Sequence, residues 1–157
     1  MLITDLDTPS VVIDTGIADA NLTRAQRYAD SRGLKLRPHI KTHKLPHFAK
    51  RQIELGAVGI TCQKLGEAEV MADAGLGDIF LPYNIIGRDK LDRLAGLHAR
   101  VRISVTADSD YTIAGYAARF ADRAHPLPVL IECDTGAARC GVQSPGEARL
   151  LARRVTA

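Results

Sequence analysis

Short apolar, β-branched runs alternate along this chain with longer stretches of helical spacing, and that regularity limits its folds more than any other feature. Residues 8–14, 34–41, 57–63, 78–83, 101–106 and 127–133 read as strands, the first on the strength of Val11-Val12-Ile13. Residues 19–32, 47–55, 65–74, 89–98, 109–121 and 145–154 read as helices. The first of these helices has Leu22, Ala25, Tyr28 and Ala29 on one side. Gly33, Gly56 and Gly75 are stop signals, Asp108 or Ser109 a cap, and Ser144-Pro145 a helix start. Units of about 20 to 25 residues, strand then helix, mean βαβ crossovers and a parallel sheet. Two architectures fit, an open doubly wound sheet and a (β/α)8 barrel. Neither glycine-rich dinucleotide spacing nor a P-loop follows any strand, so the nucleotide-binding version loses support.

Composition narrows the class of protein. The 157 residues suffice for one ordinary domain with a real core. With no Trp and only 4% aromatics, that core is built of Ala, Leu, Val and Ile. The net charge of +3 comes from cations spread along the chain, which does not make a nucleic-acid surface. Cys62, Cys133 and Cys140 are odd in number and lack scaffold spacing, which points to reduced thiols and a cytoplasmic protein. Cys133 and Cys140 match no zinc spacing, so no metal site is expected among these residues. Asp5 and Asp7 stand where a signal peptide would be basic. No apolar run reaches the roughly 18 residues of a membrane span.

The chemistry concentrates in Arg37-Pro38-His39-Ile40-Lys41-Thr42-His43-Lys44. Two histidines and three cations crowd a predicted strand end, closed by Pro46. Crowding by Arg37, Lys44 and protonated His39 or His43 would disfavour a charged ammonium on Lys41. Such a lysine is the amine that forms a Schiff base with a carbonyl such as that of pyridoxal phosphate. A solvated basic loop is the plainer reading of the same stretch. Strand alternation puts Arg37, His39 and Lys41 on one face, with Leu36 and Ile40 on the other. If the fold is a barrel, Lys41, Gln63, Tyr83 and Asp134 fall at or near carboxyl strand ends, where barrels carry their sites. Gln63 and Tyr83 are then candidate hydrogen-bond donors lining a pocket. His43 is a candidate phosphate contact or acid–base group, or a loop histidine with no such job.

The lysine stretch resembles the motif of the D-threonine aldolase and eukaryotic-type D-serine dehydratase family, relatives of alanine racemase among the fold-type III pyridoxal-phosphate enzymes. Three further segments agree in order and spacing: Asp7-Thr8-Pro9 with Val11 to Asp14, residues 59–69 including Gly66-Glu67-Ala68-Glu69, and Asp134-Thr135-Gly136-Ala137-Ala138-Arg139-Cys140-Gly141-Val142. The resemblance covers essentially the whole chain. It implies that Lys41 carries pyridoxal phosphate and that Arg139 lies near the pyridine O3′, where an arginine would stabilise the ionised cofactor. Glu132 stands where alanine racemases have a lysine, and Leu45 where they have a tyrosine, which argues against a plain alanine racemase. Ala137 replaces a commonly bulkier residue.

The implied fold is the N-terminal portion of a (β/α)8 barrel, about five of the eight strands that a complete one needs. Residues 8–14 would form a strand of an all-β C-terminal domain lying outside these 157 residues. That domain would also carry a divalent metal, and the phosphate-binding glycines would lie on later strands. The implied activity is a lyase or aldolase acting on a small-molecule D-β-hydroxy amino acid, in a protein that is a homodimer at full length. This portion alone is expected to be inactive. A non-catalytic pyridoxal-phosphate-binding barrel and an amino-acid racemase are the alternatives.

Overall fold

The computed structural model of the chain describes residues 2–156. Six helices and four strands follow one another as α1 (Thr15–Ser31), α2 (Pro46–Leu55), β1 (Ile60–Thr61), α3 (Leu65–Asp73), β2 (Asp78–Leu81), α4 (Arg88–His98), β3 (Arg102–Ala107), α5 (Asp110–Arg119), β4 (Val129–Ile131) and α6 (Pro145–Thr156). All neighbouring strands are parallel, and their order in the sheet is β1-β2-β3-β4. Successive helices from α1 to α6 also pack against one another. Sequential strand order with helices on a single side is the winding of a barrel sector, because a doubly wound sheet reverses its order and splits its helices between two faces.

The core lies between the outer face of the sheet and the helices. Register aligns Ile60 with Ile79 and Ile103, and Leu81 with Val105 and Val129. Ile60, Ile79, Leu81, Ile103 and Val105 are all buried, as are Ala68, Met71, Leu94, Leu97 and Ile113 opposite them. Side chains alternate along a strand, so Phe80, Ser104, Thr106 and Leu130 face the other way, toward the lumen. Tyr116 ties sheet to helix layer: its hydroxyl donates to the Thr106 carbonyl (3.0 Å) and accepts from the Ile85 amide (2.9 Å).

Five of the expected helices lie within about two residues of their predicted bounds, the usual scatter at helix ends: α2, α3, α4, α5 and α6. The cap of α5 is Ser109, which accepts from the Thr112 amide, and Ser144 accepts from the Glu147 amide at the start of α6. The amino-terminal third departs from expectation. Residues 8–14 form no strand: Val11 is 96% exposed, and no described residue pairs with the run. β-branched residues favour an extended backbone, but a strand needs a neighbour to take its hydrogen bonds. Helix α1 starts instead at Thr15, capped by the Asp14 carboxylate on the Ile17 amide (2.9 Å). Its buried residues are Gln26 and Ala29, while Tyr28 is exposed. Residues 34–41 pair with β1 only through an isolated His39–Thr61 bridge and two hydrogen bonds to Val58 and Thr61. Pro38 has no N–H to give a longer ladder. Among the described residues no helix is long and apolar enough to cross a membrane.

Candidate active site

Lys41 leaves the bridge at His39 in a 3-10 turn, Ile40–Thr42, rather than at a strand end. Ile40 is fully buried and holds that turn to the core. His43 and Lys44 amides both donate to the Ile40 carbonyl, and Lys44 takes a left-handed backbone, φ 55°. His39 caps the turn, its Nδ1 accepting from the Lys41 amide (3.3 Å) while Nε2 lies 3.2 Å from Gln63 Oε1. The two contacts together assign the Nε2–H tautomer, donating to Gln63. Lys41 is thereby presented to solvent on a turn fixed from both sides.

The crowding of cations expected around Lys41 is relieved. Arg37 is paired with Asp78 (2.7 Å) at the amino end of β2, away from the turn. Gly59 makes the room: a Cβ there would run into the Arg37 guanidinium and lie 2.9 Å from the Asp78 carbonyl. Lys44 reaches Glu67 (3.4 Å), which is buried and also accepts from the Gln63 amide (2.8 Å). Arg37 therefore does not share the mouth of the site with Lys41, because the strand that would have aligned them is cut to one bridge.

Gln63 and Tyr83 each stand two residues past the last residue of β1 and β2, but they face different layers. Gln63 meets His39 on the lumen side. Tyr83 packs against the sheet–helix core, with the Leu65 backbone at its hydroxyl, and burial raises its pKa above the ordinary phenol value. It keeps to the side of Leu81, as alternation requires. His43 turns the same way. Its ring meets Phe48 of α2 edge-on (5.7 Å), Nδ1 accepts from the Leu45 amide (3.0 Å), and Nε2 is buried without a hydrogen bond. Burial lowers its pKa below 6.5, with nearby Gln52 opposing.

Arg139 sits in the loop after β4, exposed. Asp134 builds that loop by accepting the Gly136 (2.8 Å) and Ala138 (3.1 Å) amides, and these bonds hold its carboxyl below the usual carboxylate range. Ala138 has φ 51°; it and Lys44 are the non-glycine residues with left-handed backbone among those described. Strained backbone of this kind gathers at functional sites. The Cys140 thiol donates to Glu132 (2.9 Å), which raises the thiol's pKa, while neighbouring Arg139 opposes. Glu132 Oε2 and Thr106 Oγ1 are buried without partners. Alternation puts both on the lumen side of the sheet.

Two devices escaped the sequence reading. Glu67 clamps the amide of Gln63, and Glu147 likewise accepts from the Gln143 amide (2.9 Å). Both follow the spacing Q-x-x-G-E, which occurs at 63–67 and 143–147 and could have revealed them. The second is a lacing of carboxyl-end loops by Asn84, Asp108 and Gly141, which has no local signature.

An exposed primary amine, an exposed guanidinium and the unpartnered Thr106 hydroxyl as donors, with the unpartnered Glu132 carboxylate oxygen as an acceptor, form a set of groups that fits pyridoxal phosphate. Comparison with known proteins agrees. The alanine racemase N-terminal domain matches residues 13–157. The chain is 38% identical over 149 residues to D-threonine aldolase of Arthrobacter sp., covering 95% of this chain and 39% of that protein. It is 34% identical over 140 residues to 3-hydroxy-D-aspartate aldolase of Paracoccus denitrificans, covering 88% and 36% respectively. The crystal structure of D-threonine aldolase from Filomicrobium marinum superposes with a TM-score of 0.93 at 38% identity, over 98% of this chain and 42% of that one. The chain thus spans about two fifths of the length of these relatives.

Proposed function

Because this chain belongs to the alanine racemase N-terminal domain family, we propose that the whole protein is a pyridoxal-phosphate-dependent lyase of D-β-hydroxy amino acids, with Lys41 as its cofactor lysine. The observation that carries the reading is Lys41 itself. It is an exposed amine on a capped turn, in a chain 38% identical to a D-threonine aldolase. Pyridoxal phosphate, when bound, supplies an electron sink for cleavage or elimination at the substrate's Cα. Lys41 holds the cofactor through Nζ. Arg139 donates to the ring's phenolate oxygen, a charge-assisted bond that keeps the oxygen ionised. Gln63 fixes the turn through His39. His43 and Tyr83 face the packing layer, so we read them as shaping the site rather than touching substrate.

The substrate is a small D-amino acid with a β-hydroxyl. A divalent metal, a homodimer and a cytoplasmic location belong to the same proposal, the metal held by a domain outside these residues and the homodimer formed by the full-length protein. Borohydride reduction of the whole protein with pyridoxal phosphate, followed by peptide mapping, tests the reading. The pyridoxyl group is expected on Lys41, and Lys41→Ala should lose both label and turnover. A label elsewhere, or none, overturns the assignment. A label on Lys41 without turnover of any D-β-hydroxy amino acid sinks the lyase reading and favours a non-catalytic cofactor-binding barrel.

A further inference from the structure

We propose that Asp108, paired with Asn84, is the positioning residue for the loop that carries Arg139. The three carboxyl-end loops after β2, β3 and β4 meet at Asp108. Its Oδ1 accepts from Asn84 Nδ2 (2.7 Å), and its own amide donates back to Asn84 Oδ1 (3.2 Å). Its Oδ2 accepts from the Gly141 amide (3.0 Å). Asn84 is itself fixed, because the next residue's amide is bound to the buried Tyr116 hydroxyl.

The plain alternative is that Asp108 serves the start of α5. That role is filled: Ser109 is the cap and accepts from the Thr112 amide. Both carboxylate oxygens of Asp108 turn away from the helix, one to each neighbouring loop. Within the loop, Asp134 sets the curvature around Gly136 and Ala138. That internal scaffold fixes the shape of the loop, and the Cys133–Val142 bridge ties its base to the end of β4, but neither joins it to the neighbouring strand. The Gly141 bond to Asp108, 33 residues away, docks it on the end of β3. Arg139 lies two residues before the docked amide, so the bond sets where its guanidinium can reach.

This inference rests on the proposed role of Arg139, and its test separates the two. Asp108→Asn keeps size but leaves one of the three hydrogen bonds facing a like partner. The exchange Asn84→Asp with Asp108→Asn keeps all three. The carboxylate at position 84 accepts from the new side-chain amide and from the backbone amide at 108, and the new carboxamide oxygen accepts from Gly141.

The first measurement is hydrogen–deuterium exchange of residues 134–143 in the whole, cofactor-free protein. The second is the dissociation constant of pyridoxal phosphate, read from the absorbance of the bound cofactor. Asp108→Asn is expected to speed exchange at Gly141 and to weaken cofactor binding by about tenfold, the equivalent of about 1.4 kcal/mol. The double exchange should restore both. Unchanged values in Asp108→Asn, or a folded double variant that restores neither, overturn the proposal. Should Asp108→Asn not fold, Asn84→Ser must show the same changes at smaller size, and unchanged values there overturn it equally. If the unaltered protein binds no pyridoxal phosphate, the cofactor reading fails. The exchange data then still decide whether Asp108 holds the loop.

Discussion

The lysine turn and the arginine loop stand at opposite edges of the same sheet and are held by opposite means. The turn at 37–44 is anchored from below, by Ile40 buried in the core and by the buried carboxylate of Glu67. The loop at 134–143 buries little apart from Val142; it is shaped by carboxylates that collect backbone amides, Asp134 from within and Asp108 from outside. Each contains one strained non-glycine residue, Lys44 or Ala138. The difference teaches that a residue can be fixed by packing or by hydrogen bonding. A packed turn fails when volume is removed, and a laced loop fails when backbone geometry or an acceptor is changed.

Ile40→Ala attacks the packed turn and should show the largest effect, about 2–5 kcal/mol of stability by denaturant unfolding. A matched change in the loop, Ala137→Ser, should stay within about 0.5 kcal/mol, since its site is exposed. A cost below about 1 kcal/mol for Ile40→Ala would break the comparison, because the turn would then not be held by its core contact. Gly141→Ala attacks the laced loop and comes second. Gly141 has φ 102°, and a Cβ there would stand 2.6 Å from the Asp134 nitrogen and 2.7 Å from the Cys133 carbonyl carbon. These are backbone atoms that cannot swing aside, so about 1–3 kcal/mol is expected. Faster amide exchange confined to residues 134–143 would locate the damage in the loop. Damage spread into α4 and α5 would show that the loop is part of the core.

The same contrast explains what was legible in the sequence. Residues 78–81 and 102–107 are runs buried by sheet and helices together, so local pattern and tertiary role agree. At Val11-Val12-Ile13 they disagree: the pattern is that of a strand, yet no described residue pairs with it. Lys41 stood out because it sits in a dense motif. Its surroundings were misjudged because Arg37 and Lys44 find partners, Asp78 and Glu67, that lie 41 and 23 positions away. Asp108 was read only as a candidate cap, and its link to Asn84 was invisible for the same reason. Their pairing spans 24 residues and joins two loops with no shared motif.

His43 offers the smallest and sharpest test, because it belongs to the packed side of the comparison although its motif suggested chemistry. Burial against α2 depresses its pKa from 6.5. The folded state therefore binds its proton less readily than the unfolded chain. The neutral ring's contribution is fully present above pH 6.5 and is lost as pH falls from there through the depressed folded value. Stability should fall across that window by at most one proton's worth, about 1.4 kcal/mol per pH unit. His43→Phe keeps the edge-on contact with Phe48 but cannot titrate. It also loses the acceptor for the Leu45 amide, a cost equal at every pH that leaves the slope untouched. Denaturant unfolding of both proteins between pH 5 and 8, the range in which histidine titrates, should therefore show a slope below pH 6.5 in the parent that is absent from the variant. Equal slopes would mean that the ring titrates as if exposed. An opposite slope, with stability gained on acidification, would mean that His43 is held charged at the site, and the acid–base reading would return.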